Sequence, residues 1–157
     1  MNKSQTLNFL FALALLLLVN YTATKRINEL QMPKGYHYYI RPAGSAKCLN
    51  TNASGQAVQF GGCNAKQRFV FRKNGPTYYD IVNEASGLAL TEKKRWGNVV
   101  KHKPEGNRDY DQKFQFVRHG SSYQIKRYHY CLEESSGHLE LQICSFSQAQ
   151  YFDIIKA

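Results

Sequence analysis

Between residues 38 and 157 the apolar positions come in short alternating runs, none of helical length or period. Tyr38-Tyr39-Ile40, Tyr78-Tyr79-Asp80-Ile81 and Tyr123-Gln124-Ile125 each read as the start of a half-buried strand. Three further runs set aromatic or branched residues two apart: Phe69 with Phe71, Phe114 with Phe116, and Phe152 with Ile154. Each follows a glutamine in the string Gln-x-Phe, at Gln67-Arg68-Phe69, Gln112-Lys113-Phe114 and Gln150-Tyr151-Phe152, at intervals of 45 and 38 residues. A third landmark lies between start and end: Cys48-Leu49-Asn50, Ala89-Leu90-Thr91 and Cys131-Leu132-Glu133. Val58-Gln59-Phe60, Val99-Val100 and Leu139-Glu140-Leu141 supply the remaining short strands. Turn dipeptides separate these runs, among them Ser54-Gly55, Gly75-Pro76, Ser86-Gly87, Gly120-Ser121 and Ser136-Gly137.

Three copies of one unit, in phase at three landmarks, define an internal repeat. One all-β unit of about 40 residues cannot bury a face alone, whereas three around a pseudo-threefold axis close a barrel and remove open edges. The expected fold is therefore all-β, a closed barrel of three pseudo-repeats with short hairpins. Its copies fall at about 38–74, 75–119 and 120–157, behind a lead-in over 25–37.

The cysteines follow the same repeat. Copies one and three each hold two, Cys48 with Cys63 and Cys131 with Cys144, while copy two has neither. Loss as a pair predicts bridges within copies, Cys48–Cys63 and Cys131–Cys144, each worth about 3 kcal/mol by loop closure. An oxidising compartment fits the start of the chain. Met1-Asn2-Lys3 is followed by eleven apolar residues, Phe9 to Val19, too few to span a bilayer, and then by Thr22-Ala23-Thr24. That is the layout of a signal peptide over residues 1–24, leaving a secreted chain without a transmembrane segment. Asn52-Ala53-Ser54 is a glycosylation sequon on a turn-rich stretch, making Asn52 the acceptor.

The landmarks resemble the ricin B-type lectin domain over roughly Tyr38 to Lys156, and the resemblance implies a β-trefoil with three pseudo-repeats and short hairpins. Cys48-Leu49-Asn50, Val58-Gln59-Phe60-Gly61-Gly62-Cys63-Asn64 and Gln67-Arg68-Phe69 look like that family's C-L-D, V-x-L-W-x-C-N and Q-x-W, with Phe in place of Trp. The third copy repeats the pattern through Cys131-Leu132-Glu133, Leu139 to Cys144 and Gln150-Tyr151-Phe152. The resemblance implies carbohydrate binding by an Asp after C-L, an aromatic platform before the second Cys, and an Asn before Q-x-W. A carboxylate takes sugar hydroxyls, a ring packs on the sugar's apolar face, and an amide completes the polar set. The corresponding residues are Asn50, Gly61 and Lys66 in copy one, and Glu133, Gln142 and Ala149 in copy three. In copy two they are Thr91, Lys101 or His102, and Asp111. No copy keeps the full trio. Asn50 with Asn64, and Glu133, are the candidate sugar-binding residues.

Charge adds a second candidate surface. The chain carries 21 Lys and Arg against 11 Asp and Glu, a formal +10, and removing residues 1–24 takes away only Lys3. Lys93-Lys94-Arg95-Trp96 followed by Lys101 and Lys103 form the local excess, a polyanion-binding face with Trp96 available to stack on a sugar. The partners expected are glycans, neutral or sulfated, on glycoproteins or cell surfaces, with no specific nucleic acid. The alternatives are a basic trefoil binding sulfated glycosaminoglycan or a protein partner, and a Kunitz-type protease inhibitor. Disulfides placed within ricin-type copies argue against the inhibitor. His37, His102, His119, His129 and His138 form neither HExxH nor HxH, and no nucleophile elbow or phosphate loop occurs. The expectation is a non-enzyme with no cofactor and no metal.

Overall fold

The computed structural model describes residues 32–51, 58–92, 100–104 and 110–157. The expected signal peptide lies outside them. Twelve strands follow in chain order: β1 (Tyr38–Pro42), β2 (Lys47–Thr51), β3 (Val58–Gly62), β4 (Phe69–Lys73), β5 (Tyr79–Asn83), β6 (Leu88–Glu92), β7 (Val100–Pro104), β8 (Lys113–His119), β9 (Ser122–Arg127), β10 (Tyr130–Ser135), β11 (His138–Ile143) and β12 (Phe152–Lys156). Three single turns of 3-10 helix, Ala65–Gln67, Tyr110–Gln112 and Gln148–Gln150, precede β4, β8 and β12.

Antiparallel pairing closes six strands into a ring, β1–β4–β5–β8–β9–β12 and back to β1. The other six form three hairpins, β2–β3, β6–β7 and β10–β11. His138 of β11 pairs with Gln59 of β3, tying two hairpins together. A closed six-strand ring with three hairpins is a β-trefoil.

The alternation explains the closure, because every second barrel residue points into one shared core. Ile40, Ile81 and Ile125 are equivalent and buried, as are Phe69, Phe114 and Phe152. Leu49, Leu90 and Leu132 seal the core from the hairpins. Tyr38 stacks on Phe71 with ring centroids 4.9 Å apart, and Phe71 meets Phe116 at 4.8 Å. Burial, then the neighbouring Tyr36, holds the Tyr38 phenol above its ordinary pKa. Phenylalanine at all three Gln-x-Phe positions thus fills one layer of the barrel.

Candidate functional site

Each 3-10 turn ends on the glutamine of Gln-x-Phe, and all three glutamines are buried. A buried amide must find partners, and these glutamines find them in the hairpins. Gln112 Nε2 donates to Thr91 Oγ1 at 3.0 Å, and Gln150 Nε2 donates to Glu133 Oε2 at 2.8 Å. Both acceptors follow the Leu of the hairpin landmark. In copy one, a Cβ built on Gly61 would lie 3.6 Å from Asn50 Nδ2 and 3.9 Å from Gln67 Nε2, so those two amides flank the same spot. The residue after C-L and the Gln of Gln-x-Phe are therefore neighbours in every copy.

The residue after the second cysteine fixes that glutamine. Asn64 N donates to Gln67 Oε1 at 2.6 Å, and Ser145 N donates to Gln150 Oε1 at 2.7 Å. Asn64 Oδ1 in turn accepts from Lys66 N at 2.9 Å, a capping box on the 3-10 turn. Asn64 thus stands beside Gln67, with its carbonyl oxygen engaged in holding the turn. Two disulfides anchor the same corners: Cys48–Cys63 and Cys131–Cys144.

The three sites differ in what remains for a ligand. In copy three Glu133 is half-buried, with one carboxylate oxygen held by Gln150 and the amide of Gln150 also donating to Ile143 O at 2.9 Å. A carboxylate has about four acceptor positions, so that one bond leaves capacity for hydroxyl donors. Gln142 lies across the ladder from Cys131 and donates to Glu140 Oε2 at 3.2 Å. In copy one Asn50 is half-buried, and Gly61 opposite Cys48 presents no ring.

Copy two is filled by the protein itself. Thr91 is 1% exposed and its hydroxyl donates to Ala89 O at 3.0 Å. Asp111 accepts from Arg127 Nη2 at 2.8 Å. Arg127 is 2% exposed and also donates to Glu92 Oε2 and to Tyr110 O, with the Tyr128 ring 5.0 Å over its guanidinium. The register also corrects the copy-two platform. Gly61 and Gln142 stand opposite Cys48 and Cys131, and the residue opposite Ala89 is Lys103, not Lys101 or His102.

Of the expected polyanion face, Lys101 and Lys103 stand on β7, across from Thr91 and Ala89. Lys93, Lys94, Arg95 and Trp96 lie outside the described residues, as does Asn52. Among the described residues no helix is long and apolar enough to cross a membrane. Sequence reasoning missed Arg127. Its role depends on register bringing β6, the second 3-10 turn and β9 together, and a lone Arg in an alternating run carries no such signal.

Comparison with known proteins agrees with this geometry. Residues 26–101 match the family model described as ricin-type β-trefoil lectin domain-like. No curated protein matches the chain in sequence. Many solved structures share the fold. ThreeFoil, a designed threefold-symmetric protein, superposes with a TM-score of 0.68 at 17% identity, over 77% of this chain and 99% of that one. The Macrolepiota procera ricin B-like lectin, solved with lactose, gives 0.66 at 14% identity, over 82% of this chain and all of that one. The GlcNAcα1-4Gal-releasing endo-β-galactosidase from Clostridium perfringens gives 0.71 at 13% identity, but the shared region is 78% of this chain and 33% of the enzyme. At these identities the likeness is one of fold. Its closed six-strand ring with three hairpins makes the chain a β-trefoil, and residues 26–101 are similar to the ricin-type, lectin-like family of that fold.

Proposed function

We propose that the protein is a secreted, non-catalytic glycan-binding module whose neutral-sugar site is the third-copy pocket around Glu133. The observation that carries this reading is the grip of buried Gln150 on the Glu133 carboxylate. The bond orients an acceptor at the rim of a disulfide-anchored hairpin, where the family's resemblance places sugar hydroxyls. Asn50 beside Gln67 offers a weaker amide version in copy one, since an amide presents one acceptor oxygen instead of two. Copy two contributes none, because Arg127 and Gln112 already occupy its polar groups. The two disulfides are consistent with export. The lactose named with the Macrolepiota procera lectin makes β-galactosides the first ligands to try.

The test is a glycan array probed with the oxidised protein at low and at physiological salt. Saturable binding of neutral glycans at both salts is expected, with loss of at least tenfold in affinity for Glu133→Ala and a smaller loss for Asn50→Ala. Silence toward every neutral glycan, or binding indifferent to both substitutions, overturns the reading.

A further inference from the structure

We infer that the protein carries a second ligand site, built on residues outside the three hairpins: an anionic-oligosaccharide groove where the lead-in meets β4 and β12. Lys34, Gly35 and Tyr36 form one wall of this groove, and Val70, Phe71, Arg72, Lys73 and Gly75 complete it, around about 660 Å³. That volume lies within the range of about 300–1,000 Å³ that accepts a ligand larger than one sugar ring.

The groove is cationic by construction. Lys156 at the end of β12 places Nζ 3.8 Å from the centroid of Tyr36, joining a fourth base to Lys34, Arg72 and Lys73. Ala157 N donates to His37 O at 2.9 Å, which fixes the lead-in against the end of β12 and so fixes the Tyr36–Lys156 pair. Among the described residues, no acidic one lines the groove. The acids near its margins are matched elsewhere: Glu84 lies 2.9 Å from both His37 and Arg68, and Asp153 takes Arg41 at 3.1 Å. Asp80 stands across the ladder from Arg72, so the argument rests on the three lysines.

The layout selects the ligand class. A compact anion would be gripped by converging donors. Here Lys34 and Lys73 share the groove with the apolar Val70 and Phe71 and with Tyr36, which is 41% exposed and carries Lys156 Nζ over its ring. Charge beside an exposed ring suits a sulfated or uronate-bearing oligosaccharide, whose pyranose faces pack on an aromatic while its anions meet the lysines. The inference takes the glycan class from the proposed function, but its site and chemistry are independent of Glu133.

A heparin-derived hexasaccharide is the probe, titrated against the whole oxidised protein over a range of salt. The variant K34A/K73A/K156A changes only exposed side chains and is expected to retain the wild-type melting temperature. It should bind the hexasaccharide at least tenfold more weakly at low salt, with a shallower salt dependence, by roughly two in the slope of log K against log salt. Bound hexasaccharide should protect Lys34, Lys73 and Lys156 from acetylation. The variant K93A/K94A/R95A separates this groove from the β6–β7 loop. Unchanged binding by K34A/K73A/K156A, or protection confined to residues 93–103, overturns the inference. Neutral-glycan binding is read separately on the array, so loss of the Glu133 reading and loss of this one give different patterns.

Discussion

Arg127 is the residue on which copy two depends. It is buried, yet it carries a full charge, so it must be matched on every side. Glu92, Asp111 and the Tyr110 carbonyl supply that match, and Tyr128 covers the guanidinium from a left-handed backbone conformation with φ of 54°. A non-glycine residue rarely adopts that conformation, and the cover over Arg127 is what the Tyr128 ring provides there. Arg127→Met should leave two half-buried carboxylates facing each other without their cation. The expected loss is about 3 kcal/mol, at the lower end for a broken buried pair because both acids keep some water. Arg127→Lys should restore the charge but not the fork, and recover part of that loss. Urea unfolding of the two variants checks this. Equal stability of wild type and Arg127→Met would show that the cluster contributes nothing.

At the scale of the element, the hairpins were legible because each is marked twice, by C-L or its Ala-Leu counterpart and by Gln-x-Phe. The layers Ile40, Ile81, Ile125 and Phe69, Phe114, Phe152 follow directly from a two-residue period repeated three times. The hydrogen bonds from Gln112 and Gln150 did not follow, since periodicity says which face a residue takes and nothing about which polar atom it meets. Nor did the opposition of Lys103 to Ala89, because more positions separate that pair than separate Cys48 from Gly61 or Cys131 from Gln142. The Lys34–Lys73–Lys156 groove was hidden for a third reason: its residues come from the two ends of the described chain and the end of copy one. The disulfides offer a prediction at this scale. They close separations of 15 and 13 residues, and each should contribute about 3 kcal/mol. Cys48→Ala with Cys63→Ala, and Cys131→Ala with Cys144→Ala, should therefore lower stability by similar amounts. The effects should add when combined, because the two bridges belong to separate hairpins. Urea midpoints test additivity. Removal of the second pair should also weaken neutral-sugar binding, because Ser145, next to Cys144, holds the glutamine that holds Glu133.

For the whole molecule, the threefold repeat hides an asymmetry in how the ring is closed. β12 meets β1 along five registered pairs, Tyr38↔Lys156 to Pro42↔Phe152, and meets β9 at Phe152↔Tyr123. The last strand therefore closes the barrel against the first, and the closure joins residues more than a hundred positions apart. Contacts so distant in sequence form late and are costly in loop entropy, and they return stability only once the ring is complete. Deleting residues 152–157 should do more than remove one-third of the phenylalanine layer. It should leave β1 and β9 with open edges, unseal the core at Ile40 and Ile125, and detach the Tyr36–Lys156 pair. The truncated chain is expected to lose its cooperative melting transition, bind an apolar dye and self-associate. Phe152→Ala, which keeps the strand and its ladder, should melt cooperatively with a loss of about 3–5 kcal/mol. Calorimetry and size-exclusion chromatography on the two variants distinguish a closed ring from three independent units. If the truncated chain still unfolds in one sharp transition, closure by β12 is not what makes the barrel cooperative.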